Sequence, residues 1–221
     1  MIILGCKPYA YQELLGAPGI RDALCGKIMI SILGGIAAQK LEETLYGPIS
    51  SGEMHQQKRC TVMRAIPNTA STVGESMTVI PDPELTLPQN AIQLVRSLFL
   101  RIGRIKQCSP ALVDAATAVC ASSPAFFALM LEAVADGACE MGISREDALE
   151  MAAGAMRGVA ELVSRGELPS ALRRKVAVPG GSTKVGLKVL EKGRVRDFIA
   201  ESVKETTTAA KSLGVRSAKE E

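Results

Sequence analysis

The sequence predicts an α/β domain followed by an all-α helical domain, and two observations support this. Up to residue 108, short runs of β-branched and other apolar residues alternate with segments of helical periodicity, which is typical of an α/β sheet that is at least partly parallel. After Ser109 the apolar spacing is helical to the end of the chain. We therefore predict domains at 1–108 and 109–213, with a frayed tail at 214–221.

In the first domain, five apolar runs are predicted strands and two amphipathic segments are predicted helices. The predicted strands are 2–4, 28–33, 62–66, 77–80 and 104–107. The predicted helices are 36–45 and 87–101.

The second domain begins with a long apolar segment at 112–140, which we predict to be interrupted at Ser122-Ser123-Pro124. Ser144 is the predicted N-cap of the next helix, in a Ser-x-x-Asp box. Shorter helices are predicted at 171–176, 185–191 and 197–213. These helices carry Ala, Met and Val on more than one face, so we expect a partner chain to bury them, with a monomeric bundle as the alternative.

Composition excludes several classes of protein. A net charge of +3 with 3% aromatic residues and no Trp argues against nucleic-acid binding. We find no apolar run long enough to cross a bilayer and no signal peptide, so we expect a cytoplasmic protein that binds no membrane. Six cysteines without a Cys-x-x-Cys pair, and the single His55, lack the spacing of metal ligands. Cys120 has no base near it in sequence, which disfavours a nucleophilic role.

One turn in the helical domain has the features of an anion site. Pro179-Gly180-Gly181 is followed at once by Ser182 and Thr183, which occupy the place of helix N-caps. Free N–H groups and the positive end of the helix dipole would favour a carboxylate there. A plain capped helix start is the alternative explanation.

Several motifs, taken together with this turn, resemble the pyrroline-5-carboxylate reductase family. They are Cys6-Lys7-Pro8, Arg64-Ala65-Ile66-Pro67-Asn68-Thr69, Asp114-Ala115, Ser122-Ser123-Pro124-Ala125-Phe126, Glu132-Ala133 and Pro179-Gly180-Gly181-Ser182-Thr183. The motifs stand in the family's order from Ile2 to about Leu213. The resemblance implies a Rossmann-like dinucleotide-binding domain, of which an N-terminal remnant is present here, followed by a helical dimerisation domain.

The resemblance also implies a reaction and a set of site residues. The reaction is hydride transfer from NADP or NAD in reduced form to 1-pyrroline-5-carboxylate, giving L-proline, in a homodimer or higher homo-oligomer. The implied catalytic residues are Thr183 and Ser122. The residues implied to bind the substrate are Gly180, Gly181, Ser182 and Thr183. The residues implied to contact the nicotinamide end of the cofactor are Lys7, Pro8, Gly34, Gly35 and Asn68.

Three of these cofactor-side residues have ordinary alternatives. Lys7-Pro8 can be a strand that ends at a proline, and Asn68 can form an Asx-turn. No Gly-x-Gly-x-x-Gly turn occurs in the sequence. Judged against the family, the chain begins just before the Lys-Pro motif. We therefore expect the phosphate-binding turn to be missing, through a truncated gene model, a deliberate cut or a degraded paralogue, and NADPH to bind poorly.

Departures from the family pattern fall near the implied pocket. Ala121 and Ser123 stand where the family has glycines, and Phe126 stands where Tyr is usual. If position 123 needed a positive φ, Ser would cost on the order of 1 kcal/mol there. Two alternatives to an active reductase remain open: an inactive paralogue that serves as a dimerisation partner, and a β-hydroxyacid-type dehydrogenase. Lys175 and Lys184 match no motif of the latter class.

Overall fold

The computed structural model describes residues 1–48, 59–82 and 88–213. The chain divides into two compact units, the first formed by Met1–Pro124 with Val203–Glu221 and the second by Ala125–Ser202. The predicted tail at 214–221 and His55 lie outside the described residues. Strand structure ends at Cys108, where the sequence periodicity changes, whereas the compact units divide elsewhere. The domain division at residue 108 therefore stays a prediction.

The first unit contains two small parallel sheets. Strands β1 (Ile2–Leu4), β2 (Ile28–Ser31) and β3 (Thr61–Arg64) lie side by side in that order. Strands β4 (Ser76–Pro81) and β5 (Gly103–Cys108) form the second sheet. Ile66 and Val79 connect the sheets by an antiparallel bridge, with N–H to carbonyl distances of 2.8 and 2.9 Å. The five strands are confirmed within one or two residues at each end.

Helices cover both faces of the three-stranded sheet because successive strand residues point to opposite sides. In β2, Met29 packs with one buried cluster and its neighbour Ile30 with another. The helices of this unit are α1 (Tyr11–Gly16), α2 (Ile20–Leu24), α3 (Ala38–Tyr46), α4 (Gln89–Phe99) and α5 (Val113–Thr117). The sequence did not predict α1 and α2, since each is too short to show an apolar period.

The predicted break at Ser122-Ser123-Pro124 is wrong. Helix α5 continues through a π turn at Ala118–Ser122 directly into α6 (Ser123–Glu140). A π turn accommodates one extra residue in a helix and so absorbs the missing N–H of Pro124 without ending the helix.

Continuity through the π turn also corrects the expectation about apolar length. Among the described residues, one helix, Pro110–Glu140, is long and apolar enough to cross a membrane by length and composition alone. The helix reaches this length because it continues through Pro124, where the sequence suggested an interruption.

The second unit is built from helices that bury little of their own apolar surface. It contains most of α6, then α7 (Arg145–Ser164), α8 (Pro169–Val176), α9 (Ser182–Lys192) and the first turns of α10 (Val195–Leu213). The Ser144 cap is confirmed, since its Oγ accepts from Asp147 N at 3.1 Å. The described side chains buried in this unit are those of Ala135, Ala148 and Ala152. Large apolar side chains of α6 and α7 are exposed, for example Leu129 and Met151 at 65% and 62%.

Candidate active site

The loops that follow β1, β2 and β3 carry all of the predicted cofactor-side residues. Because the three strands are parallel, their carboxyl ends meet at one edge of the sheet, where α/β proteins bind their ligands. Lys7 and Pro8 do not close β1, which ends at Leu4. Instead Pro8 begins a single 3-10 turn, in which the backbone carbonyl of Lys7 accepts a hydrogen bond from Ala10 N at 2.9 Å. Proline fits this first position because its missing N–H would have no partner there.

Gly34 and Gly35 form the turn after β2, and only the second is tightly packed. Gly35 has a φ of +74°, and a Cβ at this position would lie 2.4 Å from the carbonyl oxygen of Ala210 and 2.9 Å from Cβ of Leu213. The last turns of α10 therefore pack directly on Gly35. In the part of the chain that the structure describes, a Cβ on Gly34 would come within 4 Å of Thr117 Cγ2 alone, at 3.9 Å, so the backbone of Gly34 stays accessible.

Asn68, in the loop after β3, is held at both ends of its side-chain amide. Its Oδ1 accepts from Ala70 N at 3.0 Å, the Asx-turn that was one of the two interpretations of this residue. Its Nδ2 donates to the carbonyl oxygen of Cys120 in the π turn at 2.8 Å. Asn68 thus connects the sheet edge to the helix that carries Ser122.

Ser122 is half-buried at the last position of the π turn, and its hydroxyl makes no hydrogen bond to the described residues. The neighbouring Ser123 is buried and donates from Oγ to the carbonyl of Val119. Ser123 has φ −63° and ψ −19°, so the expected strain of a positive φ at this position is absent. The family's glycine is not needed here for backbone conformation.

Two ionisable residues near this site have shifted pKa values, Cys120 in the π turn and Arg64 at the end of β3. Burial raises the pKa of the Cys120 thiol, which keeps it protonated at neutral pH and unsuited to act as a nucleophile. Arg64, at the end of β3, has Nε and Nη2 buried without a hydrogen-bond partner among the described residues. Burial lowers the pKa of Arg64, and the charge of Asp114 in α5 opposes that effect. In the sequence, Arg64 stands out only as the first residue of the Arg64–Thr69 motif, and burial of a guanidinium leaves no signal there.

The Pro-Gly-Gly segment of the second unit forms a tight turn at the start of α9. The carbonyl oxygen of Val178 accepts a hydrogen bond from Gly181 N at 3.1 Å, and Gly180 has a φ of +78°. These features define a type II turn, in which Pro179 occupies the second position that proline favours. Gly181, with φ −78° and ψ 151°, is the N-cap. The prediction that Ser182 and Thr183 are caps is therefore wrong.

Ser182 and Thr183 are instead the first two residues of α9, and both are exposed. Their N–H groups belong to the first turn of the helix, where no carbonyl of the same helix can accept them. Ser182 and Thr183 at these positions still leave free N–H groups at the start of the helix, which can bind a small anion.

The predicted site residues fall into two groups. Lys7, Pro8, Gly34, Gly35, Asn68 and Ser122 belong to the first compact unit, and Gly180, Gly181, Ser182 and Thr183 belong to the second. The hydrogen bond from Asn68 to the Cys120 carbonyl brings the π turn to the carboxyl edge of the sheet. Among the described residues, no three His, Cys, Asp or Glu side chains form a cluster that could hold a metal ion.

Comparisons with known proteins agree on one family. A family model described as pyrroline-5-carboxylate reductase dimerisation matches residues 110–213. The chain is 47% identical over 216 residues to a pyrroline-5-carboxylate reductase of Lophium arboricola, covering 97% of this chain and 67% of that protein. It is 45% identical to the pyrroline-5-carboxylate reductase of Neurospora crassa, covering 99% and 68%. It thus spans about two thirds of the length of these curated relatives.

Solved structures give the same answer. The crystal structure of Plasmodium falciparum pyrroline carboxylate reductase, which has NADP bound, matches with a TM-score of 0.83 and 27% identity, over 96% of this chain and 80% of that one. The parallel sheet and the helices that follow it, together with these relatives, identify the chain as a nicotinamide-dependent oxidoreductase. Within that class, the chain belongs to the pyrroline-5-carboxylate reductase family.

Proposed function

We propose that this protein reduces 1-pyrroline-5-carboxylate to L-proline with NADPH, as a homodimer in the cytoplasm, and that Thr183 and Ser122 act on the substrate. The observation that carries the substrate assignment is the type II turn at Val178–Gly181, which presents the N–H groups of Ser182 and Thr183, both without a hydrogen-bond partner among the described residues. A carboxylate accepts hydrogen bonds from such groups and interacts favourably with the helix dipole.

The carboxyl edge of the sheet fits the nicotinamide end of a dinucleotide. Lys7, Pro8, Gly34, Gly35 and Asn68 stand in the three loops that end there, and Gly34 leaves its backbone open. When bound, the reduced nicotinamide supplies a hydride to the imine carbon. The preference for NADP is carried over from the Plasmodium falciparum relative, whose structure has NADP bound.

The protein's own residues bind and orient the substrate. The N–H groups of Ser182 and Thr183 hold its carboxylate, which fixes the orientation of the ring. As the C=N bond becomes C–N, the nitrogen takes up a proton and turns into an amine. The hydroxyl of Thr183 or Ser122 hydrogen-bonds that nitrogen while it changes.

The Thr183 hydroxyl is tested by Thr183→Val, which keeps the shape of the side chain. Loss of a hydrogen bond to a charged ligand raises the KM for 1-pyrroline-5-carboxylate by about 10- to 150-fold. Thr183→Ser, which keeps the hydroxyl, is expected to retain a KM close to that of the wild type. Thr208→Val, on an exposed face of α10, is the matched control. Steady-state oxidation of NADPH measures the effect. An unchanged KM and turnover in Thr183→Val would refute the assignment.

Dimerisation is supported by the exposed apolar faces of α6 and α7 and by the matched dimerisation model. Light scattering is expected to give at least a dimer at micromolar concentration, and Leu129→Glu, which puts a charge on the exposed apolar face of α6, is expected to give a monomer. A wild-type dimer without reductase activity would favour the inactive partner over the enzyme. A wild-type monomer would contradict the proposed assembly.

A further inference from the structure

Pro124 creates a hydrogen-bonding deficit in the helix that carries Ser122. Proline has no N–H, so it leaves one carbonyl of the preceding turn without its usual donor. In α-helical register that carbonyl belongs to Cys120, and in π register it belongs to Val119. Ser123 N already donates to Ala118, five residues back, which sets the π register.

Both affected carbonyls receive a side-chain donor instead. The Oγ of Ser123 donates to Val119, within the same helix. The Nδ2 of Asn68 donates to Cys120 at 2.8 Å, across 52 positions of sequence. The deficit left by Pro124 is therefore met in part from the loop after β3.

Asn68 is itself fixed so that only its Nδ2 faces the π turn. Its Oδ1 accepts from Ala70 N at 3.0 Å, and its own N–H donates to Oγ of the buried Ser76 at 3.1 Å. With Oδ1 bound to a donor, the amide orientation is determined by the network. The amide is thus rigidly attached to the sheet edge.

We propose that Asn68 is a positioning residue for the reductase reaction, which acts by holding the Cys120 carbonyl and, through the π turn, the hydroxyl of Ser122. The inference rests on the proposed function, since it assigns Ser122 to the substrate. In this arrangement one N–H and one oxygen lone pair of the Asn68 amide are bonded within the protein, and the residue acts on the reaction through Cys120.

A stability cycle tests the link between Asn68 and Pro124 without any assay of activity. Asn68→Ala leaves the Cys120 carbonyl unpaired and lowers the unfolding midpoint by about 4 to 8 °C. Pro124→Ala supplies an N–H four residues after Cys120, so it recovers most of this loss when combined with Asn68→Ala. If the two substitutions lower the midpoint additively, the link does not exist.

A kinetic cycle tests the effect on the reaction. Asn68→Asp keeps the acceptor for Ala70 and removes the donor to Cys120. It is expected to raise the KM for 1-pyrroline-5-carboxylate at least 5-fold while the KM for NADPH stays within 2-fold, an order-of-magnitude expectation for one lost hydrogen bond. In the Ser122→Ala background the same change has little further effect. Asn90→Asp, whose Oδ1 also accepts from the following backbone N–H, is the matched control and leaves both KM values unchanged.

The outcomes separate this inference from the proposed function. A raised KM for NADPH that persists with Ser122→Ala would mean that Asn68 contacts the cofactor, which overturns the inference. A wild-type chain without reductase activity would refute the proposed function, and the stability cycle would still decide whether Asn68 holds the turn.

Discussion

Gly35→Ala is expected to destabilise the first unit through two separable effects. The residue has a φ of +74°, and placing a Cβ in the left-handed region costs about 1–2 kcal/mol. The new Cβ would also lie 2.4 Å from the Ala210 carbonyl oxygen. Forcing a methyl group into such a packed position costs about 1–3 kcal/mol more. The total of about 2–5 kcal/mol corresponds to a fall in the unfolding midpoint of about 4 to 20 °C.

Gly74→Ala provides a matched control because its backbone has the same φ of +74° and no described atom lies within 4 Å of the added Cβ. It carries the conformational cost alone, about 1–2 kcal/mol. The gain from a less flexible unfolded chain is common to both variants and cancels in the comparison. Differential scanning calorimetry of the two variants measures the difference. Equal midpoints would refute the packing of α10 on Gly35.

Two further predictions concern stability. Ser144→Ala removes the cap of α7 and is expected to lower the free energy of unfolding by about 1 kcal/mol, measured by chemical denaturation. Ser164→Ala, in the last turn of the same helix, is the control. Equal effects of the two substitutions would contradict the cap. Burial raises the pKa of the Cys60 thiol above its unfolded value of about 8.5. Its contribution to stability is therefore fully present below about pH 8.5 and lost as the pH rises through the folded-state pKa. The unfolding midpoint should therefore fall at alkaline pH, and Cys60→Ala should reduce this fall. Cys25→Ala, at an exposed position, is the control and should leave the fall unchanged. An equal fall in both variants would exclude Cys60 as its source.

Local sequence patterns predicted the elements whose causes are local. Short runs of β-branched and other apolar residues located the five strands, and the Ser-x-x-Asp box located the start of α7. The Pro-Gly pair located the turn before α9, although the N-cap fell on Gly181 rather than on Ser182 or Thr183. Glycine is also a good cap residue, so the pattern alone did not separate these positions.

The features that the sequence did not predict depend on contacts between distant segments. Pro124 indicated a break, because nothing in the surrounding residues shows that Asn68 supplies a donor to Cys120. The sequence also did not show that Gly35 packs against Ala210 and Leu213, which lie some 175 positions further along the chain. Each of these two features has its partner far away in sequence.

The packing of α10 on Gly35 has a consequence for the order in which the nascent protein can fold. A ribosome adds about 5–20 residues per second, so Ala210 emerges about 9 to 35 seconds after the turn that it covers. During that interval the whole of Ala125–Ser202 is synthesised and free to fold, while the earlier unit still lacks its final helix turns. The unit that contains the N-terminus is therefore completed last, when the final turns of α10 reach Gly35.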